Sequence, residues 1–316
     1  MGYPRSKYVI EGEEGVYHCF TRCVRRAFLQ GHDPVSGIDY SHRKAWIVDR
    51  LRYLAGIFAI DVCAYDVMIN HYHSILRTRP DLAAGWSDME VATRWVTLCP
   101  KHRKVRGVMV PIEGQIRALT QCPERIAELR KRLCSLSWFM GQLNGYIARA
   151  ANKEDKVKGR FFEARFEARA LLDLAGIAAS MTYVDLNLVR AGLAATPEDS
   201  DFTSIQERIL AWQNANHPSA SESMPTDAAW LCPIASNSTR RGILPQMTLE
   251  EYFTLVDQSG RLLHPDKRGV IPADLAPILV RIGAKPEAWG DTISRFRTKF
   301  RLAAGKLSNM RTFAHK

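Results

Sequence analysis

The sequence has no apolar run that could cross a bilayer. The longest, near Ala55–Ile60 and Ala276–Val280, fall far short of the roughly 20 residues a spanning helix needs. It has no internal repeat, and its opening MGYPRSKYVIEGEEG lacks the apolar stretch of a signal peptide, so a cytoplasmic location is expected. Cysteine is sparse and scattered: of seven (Cys19, Cys23, Cys63, Cys99, Cys122, Cys134, Cys232), only Cys19 and Cys23 are close, with no second pair to complete a zinc site. Reduced, mostly buried thiols are the expectation. Acid is in short supply as well, with 33 Asp+Glu against 44 Lys+Arg, a net +11 at pH 7, which suits a polyanionic partner. What is present is otherwise ordinary: 316 residues, 46% hydrophobic and 24% charged, enough for a real core and incompatible with global disorder, collagen or coiled coil.

The charge is unevenly spread. Residues 1–50 sum to +2, 51–100 to −1, 101–170 to +9, 171–239 to −6 and 240–316 to +7, so the basic surplus sits in two blocks.

Alternation over Gly15–Arg22 predicts a strand, and Trp46, Ile47, Leu51, Leu54, Ala55 and Phe58 at three- and four-residue spacing predict a helix from Ser41 to about Phe58. Ile60–Val67 and Ile69–Arg77, rich in β-branched and aromatic residues, read as two strands. Residues 80–125 look like a helical, basic insertion, with Ser87 and Glu90 as a capping box and KHRKVR at 101–106. A helix from Pro123 through Ile147 follows, then a half-exposed strand over Gly159–Leu171 and a helix from about Leu172 to Val189 stopped by Gly192. Residues 213–247 have a linker's composition, inside which Trp230-Leu-Cys-Pro-Ile reads as a segment that docks on a domain surface. Thr248 and Glu251 form another capping box, and 248–316 reads as a basic helical module behind a catalytic domain of 1–212.

Two groups of residues invite chemistry. His71 and His73 share one face of a strand, with Tyr72 on the other; two adjacent imidazoles are half a metal site, though a lone His-x-His is more often a surface or core feature. Tyr183 and Asn187 stand one helical turn apart. At about 100° per residue, Tyr183 falls roughly 140° from the centre of the stripe formed by Leu174, Ile177, Met181, Val184 and Leu188, which weighs against a plain core tyrosine, although a tyrosine off the stripe more often just covers the sheet or an interface. His18 and Arg22 on the first strand are weaker candidates.

Taken together, Tyr65–Arg77 (YDVMINHYHSILR) and Tyr183–Leu193 (YVDLNLVRAGL), followed by Pro197 and Phe202-Thr203-Ser204, resemble the single-tyrosine HUH transposases, most closely the REP-associated tyrosine transposases. The resemblance covers about residues 10–210. It departs at Leu188, where the family's second motif usually has proline after the asparagine, a change that touches how the helix ends rather than the chemistry.

The resemblance implies an α+β, ferredoxin-like antiparallel sheet with helices on one face. It also implies His71, His73 and Asn187 as ligands of Mg2+ or Mn2+, with Tyr183 as the nucleophile that leaves a 5′-phosphotyrosine and a free 3′-OH. The family cuts single-stranded DNA beside hairpins and rejoins it. A phenol is a poor nucleophile until deprotonated, and the sequence shows no obvious general base. Single-stranded DNA asks for cations along a groove; Lys153, Lys156, Lys158, Arg160, Arg165 and Arg169 are the cluster placed there, and the tail with Arg295, Arg297, Lys299 and Arg301 is read equally as a grip on a hairpin stem through phosphates, as a dimerisation element or as simple packing. Two alternatives stay open, a domesticated hairpin-binding protein that no longer cleaves and an HUH nuclease of replication or conjugation. Monomer or homodimer is also open.

Overall fold

Four runs of β-branched and aromatic residues pair into an antiparallel sheet in a computed structural model of the chain. The structure describes residues 7–100, 112–216 and 228–261 apart from 25–26 and 28–29, with the backbone of 104–105, 108–109 and 303–304. The tail arginines and lysine at 295–301, and all of KHRKVR except the backbone of 104–105, lie outside the described residues.

The order is β1 (Val16–Arg22), α1 (His42–Ala55), β2 (Ile60–Val67), β3 (His71–Thr78), α2 (Pro80–Gly85), α3 (Asp88–Leu98), a short β4–β5 ladder (Lys104–Val105, Val108–Met109), α4 (Ile112–Thr120), α5 (Pro123–Leu133), α6 (Leu136–Glu154), β6 (Glu167–Leu171), α7 (Leu174–Asp185), α8 (Asn187–Arg190), α9 (Ser204–Asn216), α10 (Leu249–Arg261) and a two-residue β7 (Ala303–Ala304). The main sheet runs β2-β3-β1-β6-β7. Its first four strands pair antiparallel and β7 joins parallel to β6.

The mixed α+β class and the antiparallel sheet are as expected. The expectation placed the helices on one face of the sheet; they occupy both. On one side Tyr17, Cys19, Tyr72 and Leu76 pack with Leu51 and Leu54 of α1 and Phe139, Leu143 and Ile147 of α6, and α3 and α5 extend this core through Val91, Trp95, Ile126 and Leu129. On the other, Val16, Ala64, Ile75 and Leu171 meet Ile177, Met181 and Val184 of α7. This second core also takes in Cys232, Ile234, Ile243, Leu244 and Met247, and Tyr252, Leu255 and Val256 of α10. The stretch 231–247, a linker by composition, is therefore a strap docked at both ends with 236–239 exposed between them, and α10 is part of the core behind α7. Arg77 fixes the strap, donating to the carbonyls of Arg241 (2.7 Å) and Gly242 (2.9 Å) while also holding buried Asp61.

A bulge in β2 sets which residues reach the α7 side. Asp61 and Asp66 are an odd number of residues apart, which in a regular strand puts them on opposite faces. The register slips between Val62 and Ala64, so Asp61 stands opposite Arg77 and Asp66 opposite His73, on the same face.

The expected helix of 123–147 is two, broken between α5 and α6 at Cys134–Ser135. The expected strand of 159–171 is ordered as a strand only from Glu167, where pairing with Phe20 begins. Ahead of it, Lys156 (φ 56°) turns the chain out of α6. Arg43, fully buried at the start of α1, holds this corner by bonding Glu154 (2.7 Å) and Asp155 and stacking over Tyr40 at 4.1 Å.

Candidate active site

The site lies where β1 and β3, the two central strands, face the end of α7. Register sets the β3 row, with His71 opposite Arg22, His73 opposite Phe20 and Ile75 opposite His18. His71 and His73 do share a face, with ring centroids 5.1 Å apart. His18 joins them diagonally: its Nε2 is 2.9 Å from His73 Nδ1. Phe20 stacks on the His73 ring at 5.5 Å.

These bonds choose the outward atoms of the imidazoles. His71 Nδ1 is 2.7 Å from Asn70 Oδ1, an acceptor, so Nδ1 carries the hydrogen and Nε2 the lone pair. When His73 Nδ1 donates to His18 Nε2, His73 Nε2 carries the lone pair as well, the arrangement a metal-binding histidine needs.

Asp173 caps α7 by accepting from Gly176 N, and the helix runs into α8 through a kink at Leu186 (φ −96°, ψ 2°) before Gly192 (φ 68°) stops it. Tyr183, near the end of α7, stands edge-on to both strands, its ring centroid 5.8 Å from His73 and 6.0 Å from His18. Asn187 opens α8. Its Nδ2 donates to Asp66 Oδ2 at 2.6 Å, while the backbone N–H of His73 donates to Asp66 Oδ1 at 2.9 Å. One carboxylate thus ties the helix residue to the histidine strand, and with its nitrogen committed Asn187 is left its amide oxygen as a ligand atom. Burial pushes the Asp66 carboxyl up to about 8, against the pull of the bonds from Asn187 and His73.

Behind Tyr183 the kink is anchored by Asp185, which accepts from Ser204 Oγ (2.6 Å) and from the Tyr252 hydroxyl of α10. Burial pushes its carboxyl up to about 6. Arg190, one turn after Asn187, places its guanidinium carbon 5.7 Å from the Tyr183 ring centroid.

Among the described residues no group of three or more His, Cys, Asp or Glu side chains is arranged to hold a metal ion. A set completed by an amide differs from that pattern and still fits by donor chemistry: two imidazole nitrogens and one amide oxygen, all neutral, suit Mn2+ and, less well, Mg2+.

The structure brings together Tyr183, His71, His73 and Asn187. The basic cluster divides. Lys153, Lys156, Lys158, Arg160 and Arg165 are exposed around the end of α6 and the loop after it. Arg169 is buried (7% exposed), paired with His18 in the sheet register. The reading of Arg169 as an outward cation assumed one wet face on β6, and α7 covers that face. His18 proves closer to the centre than its place among the weaker candidates. Asp66 and Arg190 were missed, although an acid inside the apolar strand IDVCAYDV signals a buried partner.

No protein-family model and no curated protein matches the chain. One solved structure, described as a REP-associated tyrosine transposase bound to a REP hairpin, is similar with a TM-score of 0.39 and 13% identity, over 76% of this chain and 97% of that one. A likeness of that size says nothing about individual residues. Among the described residues no helix is long and apolar enough to cross a membrane.

Proposed function

We propose that the chain is a metal-dependent single-stranded DNA endonuclease and strand transferase, a transposase acting at hairpins or palindromic repeats through a 5′-phosphotyrosine on Tyr183. The observation that carries this is the meeting of Tyr183 with the histidine row, 5.8 Å from His73 ring to ring, with Asn187 tethered to the same strand through Asp66. The motifs YDVMINHYHSILR and YVDLNLVRAGL support it from the sequence side.

His71, His73 and Asn187 would hold Mg2+ or Mn2+, which when bound supplies Lewis-acid polarisation of the scissile phosphate and a template for its oxygens. Tyr183 Oη attacks phosphorus: the Oη–P bond forms as the P–O3′ bond breaks, the phenol gives up its proton, and the departing 3′ oxygen takes one up. Because the phosphotyrosine keeps the energy of the diester, another 3′-OH reverses the step and rejoins DNA without ATP. The exposed cations Lys153, Lys156, Lys158, Arg160 and Arg165 form the track for the strand.

The test is incubation with a hairpin oligonucleotide and Mn2+. A covalent protein–DNA adduct is expected, lost in Tyr183→Phe. No adduct on any family-type hairpin counts against the reading.

A further inference from the structure

Three buried arginines around the sheet each hold two or more acceptors. Arg43 has Glu154 and Asp155, Arg77 has Asp61 and two carbonyls, and Arg208 donates to the carbonyls of Cys63 (2.9 Å) and Cys232 (2.8 Å). In Arg190 it is a terminal nitrogen, Nη1, that is fully enclosed with no hydrogen-bond partner among the described residues; in Arg50 and Arg208 the same holds for the inner Nε. The neighbour Arg190 does have is the Tyr183 ring, 5.7 Å from the guanidinium carbon. An enclosed donor without an acceptor costs about 1–3 kcal/mol, more for a charged group, so one that lies beside the candidate nucleophile calls for an explanation.

The position narrows that use. Arg190, Tyr183, Asn187 and His71 are the half-exposed members of the site, while His18, His73 and Asp66 are buried. These four residues therefore form the side of the site that meets solvent. A group entering there meets a neutral rim of phenol, amide and imidazole, with Arg190 the one fixed charge among these. A planar guanidinium with an unfilled donor fits a phosphate or another tetrahedral oxyanion, held by its charged oxygens.

We infer that Arg190 binds a non-bridging oxygen of the phosphodiester attacked by Tyr183, making an anion subsite beside the nucleophile that the histidines and Asn187 do not provide. The inference rests on the reading of Tyr183 above. In the free protein this donor is kept enclosed and without an acceptor at a cost in stability, because burial disfavours the charge, drawing the guanidinium down to about 10. Removing that charge relaxes the fold while disabling the site, a trade seen where function needs an unsatisfied group.

Two experiments separate this inference from the reading it rests on. The first compares thermal melting of the wild type, Arg190→Met and Arg190→Lys in sodium phosphate and in sodium chloride at matched ionic strength. Phosphate is expected to raise the wild-type midpoint by a few degrees, Arg190→Lys by less and Arg190→Met not at all, with Arg190→Met in chloride melting no lower than wild type. Equal phosphate shifts in wild type and Arg190→Met overturn the inference whether or not the protein cleaves DNA.

The second measures adduct formation on a hairpin with a phosphodiester or a methylphosphonate at the mapped scissile linkage. Arg190→Met should slow adduct formation on the diester by about 100-fold, and the wild-type preference for diester over methylphosphonate should narrow. A variant that keeps the wild-type rate and preference refutes the inference and leaves the Tyr183 reading standing. A wild type that forms no adduct yet shows the Arg190-dependent phosphate shift overturns the Tyr183 reading and leaves only an anion site at Arg190.

Discussion

Replacing Asp66 by asparagine tests the candidate metal centre through a residue that would not touch the metal. Asp66 is wholly buried and uses both oxygens as acceptors, one from the His73 N–H at 2.9 Å and one from Asn187 Nδ2 at 2.6 Å. An asparagine of the same shape offers one acceptor and one donor. Either the His73 N–H loses its partner, or Asn187 turns its amide over and presents hydrogen where oxygen is required. A buried hydrogen bond broken this way is worth about 1–3 kcal/mol, and losses of roughly 10–100-fold in metal affinity are usual for partners that orient ligands. The assay is a Mn2+ titration under argon at pH 8.5, above the value of about 8 at which Asp66 ionises. Asp66→Asn should weaken binding by one to two decades, about 1.4 kcal/mol each. The double variant Asp66→Asn, Asn187→Asp restores complementarity with its polarity reversed. The new amide on β2 then accepts from the His73 N–H and donates to the new carboxylate on α8, whose second oxygen can ligate, so affinity should recover to within ~5-fold of wild type. Wild-type affinity in the single variant, or no recovery in the double, would refute the reasoning.

Two further outcomes follow from charge. Asp66 and Asp185 have carboxyls raised in the fold to about 8 and about 6 from an ordinary 3.8. The native state therefore keeps protons the unfolded chain has lost, and these groups make stability fall as pH rises from about 4, Asp185 up to about pH 6 and Asp66 up to about pH 8. Each contributes at most about 1.4 kcal/mol per pH unit, so denaturant midpoints should decline between pH 6 and 8 and flatten in Asp66→Asn; an unchanged slope would mean that Asp66 does not hold its proton. Neutralising Lys153, Lys156, Lys158, Arg160 and Arg165 to glutamine should weaken hairpin binding and reduce its log–log salt slope by ~0.7 for each lost phosphate contact, whereas Arg169→Gln, buried against the sheet, should leave that slope alone; filter binding across a salt series reads both.

Local signals carried much of the fold. The four strands, α1, the stop at Gly192 and both capping boxes were legible because each depends on neighbours in sequence; Ser87 Oγ accepts from Glu90 N at 3.1 Å, and Thr248 and Glu251 exchange both bonds of the box. The second core was legible only as a docking segment at Trp230–Ile234, without what it docks on. Cys232, Ile234 and Ile243 are spread among Ser, Asn and Pro, with no period to mark them, and only the bare face of α7 gives them a place to go. The same ignorance of α7's position made Arg169 look solvated. In the site, His71, His73, Tyr183 and Asn187 could be named from two motifs, since residue type and spacing are sequence properties. Asp66 needed the bulge in β2, which shifts the phase of the strand and leaves no mark on composition. Arg190 needed the enclosure of its guanidinium without an acceptor, which only packing reveals.

The bond from Tyr252 to Asp185 joins residues 67 apart in the chain, and that separation is also a delay. A ribosome adding roughly 5–20 residues per second makes the Tyr183 helix several seconds before the helix that backs it. Through that interval Asp185 lacks its phenol partner and the apolar face of α7 lacks the strap and α10. The end of α7 thus gains its final anchoring late in synthesis, so a nascent chain carries Tyr183 before it carries everything that holds Tyr183 in position.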